Sequence, residues 1–196
     1  DGLNSDACRG IFAAKGRPAD NPLILHIAKL EEIYPLSTNL SASAKRMMEV
    51  FWPGPLTMIV NKSELIPQVV TAGLETVAIR FPSNPVANRL IALSGCPIAA
   101  PSANKSGKPS PTTAGDVLAD MEGVIAGVID GGTCDIGVES TIVDTTVPVP
   151  TILRPGGITR EMLEDALGAV EIDPGLIKKG QIPKAPGMKY RHYAPQ

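Results

Sequence analysis

The stretch 76–113, TVAIRFPSNPVANRLIALSGCPIAAPSANKSGKPSPTT, decides how the rest of the chain is read. Its first run, Thr76 to Phe81, is β-branched and apolar and carries Arg80 near its end. Its second, Pro97 to Ala100, leads straight into Ser102, Asn104, Lys105 and Ser106. Short apolar runs bounded by Pro and Gly read as buried strands. Between them Pro85 suits a first helical turn, and Val86, Leu90, Ile91 and Leu93 make an apolar stripe that closes at Gly95. Strand, helix, strand points to an α/β fold. Arg80 and the polar loop are then expected at one sheet edge, at the carboxyl ends of the strands, where ligands sit in open α/β sheets. The loop concentrates hydroxyls, an amide, two lysines and a glycine. Small residues let backbone N–H groups approach an anion, while hydroxyl and ammonium groups add donors. The same composition also describes an ordinary surface loop; Arg80 on a neighbouring strand tilts the reading toward a site.

Upstream, Asn4 or Ser5 can cap a helix bearing Ala7, Ile11 and Phe12, stopped by Gly16 and Pro18. In KGRPADNPLILHI, Lys15 and Arg17 alternate and would share a face in extended backbone, suiting a polyanion such as a triphosphate or simply a solvated turn. Leu23 to Ile27 reads as a strand, with His26 either a structural residue or, at the strand end, a contact for a substrate carboxylate. Ala28 to Leu36 is weakly helical. Ser41 or Ser43 caps a helix with Ala44, Met47, Met48 and Phe51 inward. Pro53-Gly54-Pro55 breaks it, and Leu56 to Val60 is a strand.

Downstream, Thr112 or Thr113 caps a helix with Val117, Leu118 and Met121; strands are expected at Val124 to Ile129, Ser140 to Asp144 and Thr151 to Leu153. Thr159 caps a last helix. After Gly168 the periodicity fades, and Asp173 to Lys184 reads as a linker or extended arm. It ends in APGMKYRHYAPQ, where Tyr190, Arg191, His192 and Tyr193 could cover a ligand or form a simple tail.

Bulk properties narrow the function. With 196 residues and 43% apolar content, one large domain with a tail is expected. A net charge of −2 gives no global reason to bind nucleic acid. Three widely spaced cysteines and two histidines indicate neither a disulfide framework nor a metal site, so no protein-held metal is expected. No apolar run is long enough for a bilayer and no secretory leader is read, so a cytoplasmic location is expected. GxGxxG and Walker A loops are not found.

Taken in order, KGRPADNPLILHI, WPGPLTMIV, TVAIRFP, APSANKSGKPSPT, ESTIVD and ILRPGGIT closely resemble the YrdC-like family of threonylcarbamoyl-AMP synthases. The tail APGMKYRHYAPQ resembles the interdomain linker of its two-domain members. The resemblance implies a twisted mixed α/β sheet with flanking helices around a large basic cavity. It implies a catalytic domain over 1–170 and an arm over 171–196. The implied reaction joins L-threonine, bicarbonate and ATP into threonylcarbamoyl-AMP and releases pyrophosphate. ATP is thus a substrate, with Mg²⁺ expected alongside it. The downstream partner is a complex that transfers the threonylcarbamoyl group to adenosine 37 of tRNA, so tRNA itself is an indirect partner.

Residue by residue, the resemblance implies a phosphate-holding catalytic tetrad of Lys15, Arg17, Ser102 and Asn104. ATP contacts are implied for Arg17, Asn21, Thr76, Ser102, Ser110, Arg154 and Tyr190, and threonine contacts for His26, Arg80, Ala100 and Ser140. A guanidinium fork such as that of Arg80 suits a carboxylate. Family members carry a strand and turn reading roughly P-T-E-T-x-Y-G-L before the first helix; this chain starts at Asp1 without it, and truncation at both ends is expected. Two rival readings are the carbamoyl-AMP-forming domain of hydrogenase maturation proteins and an RNA-binding module. The CxxC pairs of the first are missing, and the second sits poorly with the charge and the few aromatics.

Overall fold

The computed structural model describes residues 1–174. The helices begin where local chemistry starts them. Asn4 accepts from the amides of Asp6 and Ala7 to open α1 (Ser5–Lys15), and Ser41 accepts from Ala44 to open α2 (Ala42–Phe51). Asn84 caps α4 (Pro85–Ser94), and Thr113 with Asp116 makes a capping box on α5 (Ala114–Met121). A short α3 spans Gln68–Thr71, and α6 spans Arg160–Leu167 behind Thr159. The weakly helical segment is a 3₁₀ helix, Leu30–Leu36.

The strands are β1 (Ile24–His26), β2 (Ser37–Asn39), β3 (Leu56–Lys62), β4 (Thr76–Arg80), β5 (Ile98–Ala99), β6 (Thr141–Asp144), β7 (Thr151–Arg154) and β8 (Glu171–Ile172). They form one mixed sheet in the order β5-β1-β4-β3-β6-β7-β8, with β2 against β3. The pairs β1/β4, β3/β6 and β7/β8 are parallel; β1/β5, β3/β4, β6/β7 and β2/β3 are antiparallel. The expected mixed α/β class is thus observed. Strand β8 extends the sheet two residues past the boundary expected at residue 170.

Two expectations are corrected. Val124 to Ile129 is not a strand: it is turn and irregular backbone with Val124, Ile125 and Ile129 exposed. Among the described residues its apolar run has no strand partner, and periodicity does not report that. The second correction concerns direction. β4 is parallel to β1 while β5 is antiparallel to it, so β4 and β5 run opposite ways. Arg80 and the loop after Ala99 therefore leave the sheet at opposite edges.

Side chains alternate along each strand, so the sheet has two distinct faces. One face carries Leu25, Ile27, Met58, Val60, Val77, Ile79 and Val143, packed with Phe12, Met47, Met48, Phe51 and Leu163 of α1, α2 and α6. The other carries a small apolar floor of Ile24, Ile59, Ala78, Ile142 and Leu153. On that face His26 pairs in register with Arg80, and Arg80 with Thr57.

Candidate active site

The cavity lies over this second face, spanning it between the two edges. It has a volume of about 520 Å³, within the range of small-molecule sites. Arg17, His26, Arg80, Ala100, Ser102, Ser110, Ser140 and Arg154 all line it. Residues of the loop from Cys134 to Glu139 form another wall.

The basic end is built on the C-terminus of α1. Lys15 and Arg17 are not in an extended segment as their alternation suggests. Lys15 is the last helical residue, and Gly16 turns the chain with φ 60°. The amides of Gly16 and Arg17 donate to the carbonyls of Ala13 and Phe12, which is a Schellman closure. The turn sends Arg17 toward the cavity, where Nη2 donates to the carbonyl of Pro22 at 2.9 Å. Lys15, only 6% exposed, donates instead from Nζ to the carbonyls of Ser102 and Asn104, and Ser106 donates back to its carbonyl at 2.9 Å. Lys15 thus holds the loop after β5 from behind and does not line the cavity. Burial, then the charge of Arg17, lowers its pKa to about 8, against a smaller opposing pull from Asp120.

The loop is held in the same way. Asn104 Nδ2 donates to the carbonyls of Lys105 and Lys108, at 2.9 and 2.8 Å. Asp120 of α5 takes the amide of Lys105 and the ammonium of Lys108. So the loop lysines, expected as anion donors, are turned outward, and Asn104, 4% exposed, is a loop brace. Asn21 is also buried, at 2% exposure, and does not line the cavity. Thr76 opens β4 on the cavity-side face, two residues before Ala78, and the lining stops short of it. Tyr190 lies outside the described residues.

At the other end Arg80 donates from Nε to the carbonyl of Gly54 at 3.1 Å, leaving the fork toward the cavity. Burial, and after it the guanidinium of Arg154, lowers the Arg80 pKa. Both guanidiniums line the cavity, an arrangement that favours an anion there. His26 contacts the carbonyl of Ile98 through Nδ1 at 3.3 Å. A carbonyl only accepts, so Nδ1 carries the proton of the neutral ring and Nε2 is an acceptor. Burial first, then Arg80, pushes the His26 pKa down to about 4, so the ring is neutral near pH 7.

A carboxylate that the sequence reading did not single out ties the wall together. Glu139 accepts from Ser110 Oγ at 3.0 Å and pairs with Arg154 at 3.1 Å. Arg154 in turn donates to the carbonyl and Oγ of Ser140, and Ser140 Oγ meets Thr57 Oγ1 at 2.7 Å. Glu139 and Thr57 both fall inside motifs quoted above, ESTIVD and WPGPLTMIV. The signal was a carboxylate adjoining a site serine and a hydroxyl within an otherwise apolar strand.

Fold and cavity together define an α/β protein whose sheet face carries a cavity lined by three arginines and several hydroxyls, a lining suited to anions. Comparison with known proteins places it further. Residues 1–156 match the Sua5–YciO–YrdC family model, described as "Telomere recombination", and residues 158–196 match a model for the threonylcarbamoyl-AMP synthase C-terminal domain. The chain belongs to the Sua5–YciO–YrdC family. It is 53% identical over 194 residues to the threonylcarbamoyl-AMP synthase of Pyrococcus abyssi, covering 98% of this chain and 57% of that protein. It is also 53% identical over 193 residues to the Bacillus subtilis protein of that name, covering 98% and 56%. The crystal structure of P. abyssi Sua5 complexed with L-threonine superposes with a TM-score of 0.96 at 52% identity, over 100% of this chain and 58% of that one. The chain thus spans somewhat over half the length of these relatives.

Proposed function

We propose that the chain carries the active site for ATP-dependent synthesis of threonylcarbamoyl-AMP from L-threonine and bicarbonate. The observation that carries this reading is one cavity with two kinds of subsite. Arg80, His26 and Ser140 suit an α-amino acid with a hydroxyl side chain, and Arg17, Ser102, Ser110 and Arg154 suit a polyphosphate. The two relatives at 53% identity, both threonylcarbamoyl-AMP synthases, support the same reaction.

The steps balance without a covalent enzyme intermediate. The threonine amine attacks the carbon of bicarbonate; a C–N bond forms, water leaves, and a carbamate results. A carbamate oxygen then attacks the α-phosphorus, the bond to the bridging oxygen breaks, and pyrophosphate departs with that electron pair. Arg80 orients the threonine carboxylate, and Ala100 lines the same cavity. Neutral His26 offers Nε2 to the threonine hydroxyl or ammonium. Arg17, Ser102 and Arg154 stabilise charge on the phosphates as it shifts toward pyrophosphate. Lys15 and Asn104 act through the loop that they hold. Among the described residues no group of three or more His, Cys, Asp or Glu side chains is placed to hold a metal. Mg²⁺ would enter with the triphosphate, held mainly by phosphate oxygens and water.

The segment that follows β8 is proposed as an arm over the nucleotide, with Tyr190 near it. The product would pass to a complex that modifies tRNA, tRNA itself being an indirect partner, and the proposed location is the cytoplasm. Among the described residues no helix is long and apolar enough to cross a membrane. The test is pyrophosphate release from ATP and bicarbonate with and without L-threonine, with mass detection of the adenylate. Threonine-dependent release with the expected product is the predicted outcome; release indifferent to threonine overturns the reading.

A further inference from the structure

Thr57 lies in the middle of the sheet and is 0% exposed. Its neighbours in β3 are the apolar Leu56, Met58, Ile59 and Val60, all buried. A hydroxyl in such a place costs stability unless it is bonded, and valine has the same shape without that cost. The one hydrogen-bond partner of Thr57 Oγ1 among the described residues is Ser140 Oγ, at 2.7 Å.

The direction of that bond follows from its surroundings. Arg154 Nη2 reaches the same Ser140 Oγ at 3.0 Å, and a guanidinium can only donate. One lone pair of Ser140 is therefore taken. If Ser140 donated to Thr57, the Thr57 proton would face a fully buried environment without an acceptor. If Thr57 donates, its proton is used and Ser140 accepts twice. The Ser140 proton must then take the remaining tetrahedral direction. Ser140 lines the cavity, and Arg80, the register partner of Thr57, lies on the same sheet face.

We propose that Thr57 is a positioning residue: with Arg154 it saturates the acceptor side of Ser140, so that the Ser140 hydroxyl presents a donor to a carboxylate or carbonyl oxygen in the cavity. Glu139 supports the arrangement by pairing with Arg154 on its far side, at 3.1 Å. The Ser140 hydroxyl is thereby tuned to an acceptor such as the carboxylate end of an amino acid. A freely rotating serine would serve donors and acceptors alike.

This inference rests on the threonine reading for its kinetic test, but the direction of the bond can be measured separately. Thr57→Val keeps the buried shape and suits a strand. It is expected to raise KM for L-threonine about 3- to 10-fold, the range of one orienting hydrogen bond, with KM for ATP within about twofold of the parent. Thr57→Ser, which keeps the donor, is expected to restore the parent value. In a Ser140→Ala background Thr57→Val should add nothing further. An unchanged KM for threonine, an equal rise for ATP, or full additivity with Ser140→Ala overturns the proposal. Neutron diffraction of the deuterated protein reads the bond directly. A deuteron on Thr57 Oγ1 directed at Ser140 supports the proposal, and a deuteron on Ser140 directed at Thr57 overturns it, whatever substrate the protein uses. Failure of the parent protein to depend on threonine would instead count against the reaction proposed above.

Discussion

His26 links the site to pH. Its ordinary pKa near 6.5 falls to about 4 in the fold, because a buried ring beside Arg80 resists a second charge. Between those values the unfolded chain binds more protons than the folded one. The stability associated with a neutral His26 is therefore complete above pH 6.5 and is lost as pH falls toward 4. The loss is roughly 2–3 kcal/mol at one site. Denaturant melts of the parent and of His26→Gln between pH 7 and pH 4 should show the variant losing less stability by that amount; parallel curves would contradict it. Arg80 gives a second prediction. Nε is occupied by Gly54, so the fork remains for the ligand, and a lysine cannot reproduce both functions. Arg80→Lys should raise KM for L-threonine at least ~30-fold, roughly 2 kcal/mol, as read from steady-state kinetics.

Among the elements, the junction between β7 and α6 carries an unusual constraint. A Cβ at Gly156 would overlap the carbonyl oxygen of Glu139 and the amide nitrogen of Thr141, both backbone atoms that cannot swing aside. The turn after β7 thus packs directly on the segment that presents Glu139 and Ser140. Gly156→Ala should cost about 2–4 kcal/mol, visible as a lower urea midpoint, and should impair the site as well. Gly131, whose Cβ would meet only the Val86 side chain at 3.8 Å, should accept alanine with little change in the same melt. Element starts were legible in the sequence because caps are local. Asn4, Ser41, Thr113 and Thr159 each bond amides two or three residues on, and Pro85 takes the first turn of α4. Val124 to Ile129 was misread because its apolar residues lack the strand partner that local composition cannot supply.

For the whole molecule, the cavity is the place where a ligand couples to stability. The basic set Arg17, Arg80 and Arg154 lines one cavity together with the carboxylates of Asp135 and Glu139. A polyphosphate that binds only the folded state adds stability by mass action. ATP at about 100 times its Kd should add roughly 2.7 kcal/mol, measurable as a rise in thermal midpoint that grows with concentration. An unchanged midpoint across that range would argue against a nucleotide in the cavity.

The sequence by itself determined most of the helices and strands and the α/β class, because caps, Pro and Gly punctuation and apolar runs act over a few positions. The resemblance carried by six ordered motifs reached further, to the mixed sheet and to several of the residues that line the cavity. Only the tertiary structure decided that β5 runs against β1, that the site lies across a sheet face, and that Lys15 and Asn104 brace the loop from behind. It also revealed Glu139 and Thr57 as members of the site's hydrogen-bond network. Strand direction and hydrogen-bond partnership are set by residues tens of positions apart in the chain. Ser140 and Thr57 lie 83 residues apart and meet at 2.7 Å, a distance that the order of residues does not encode locally.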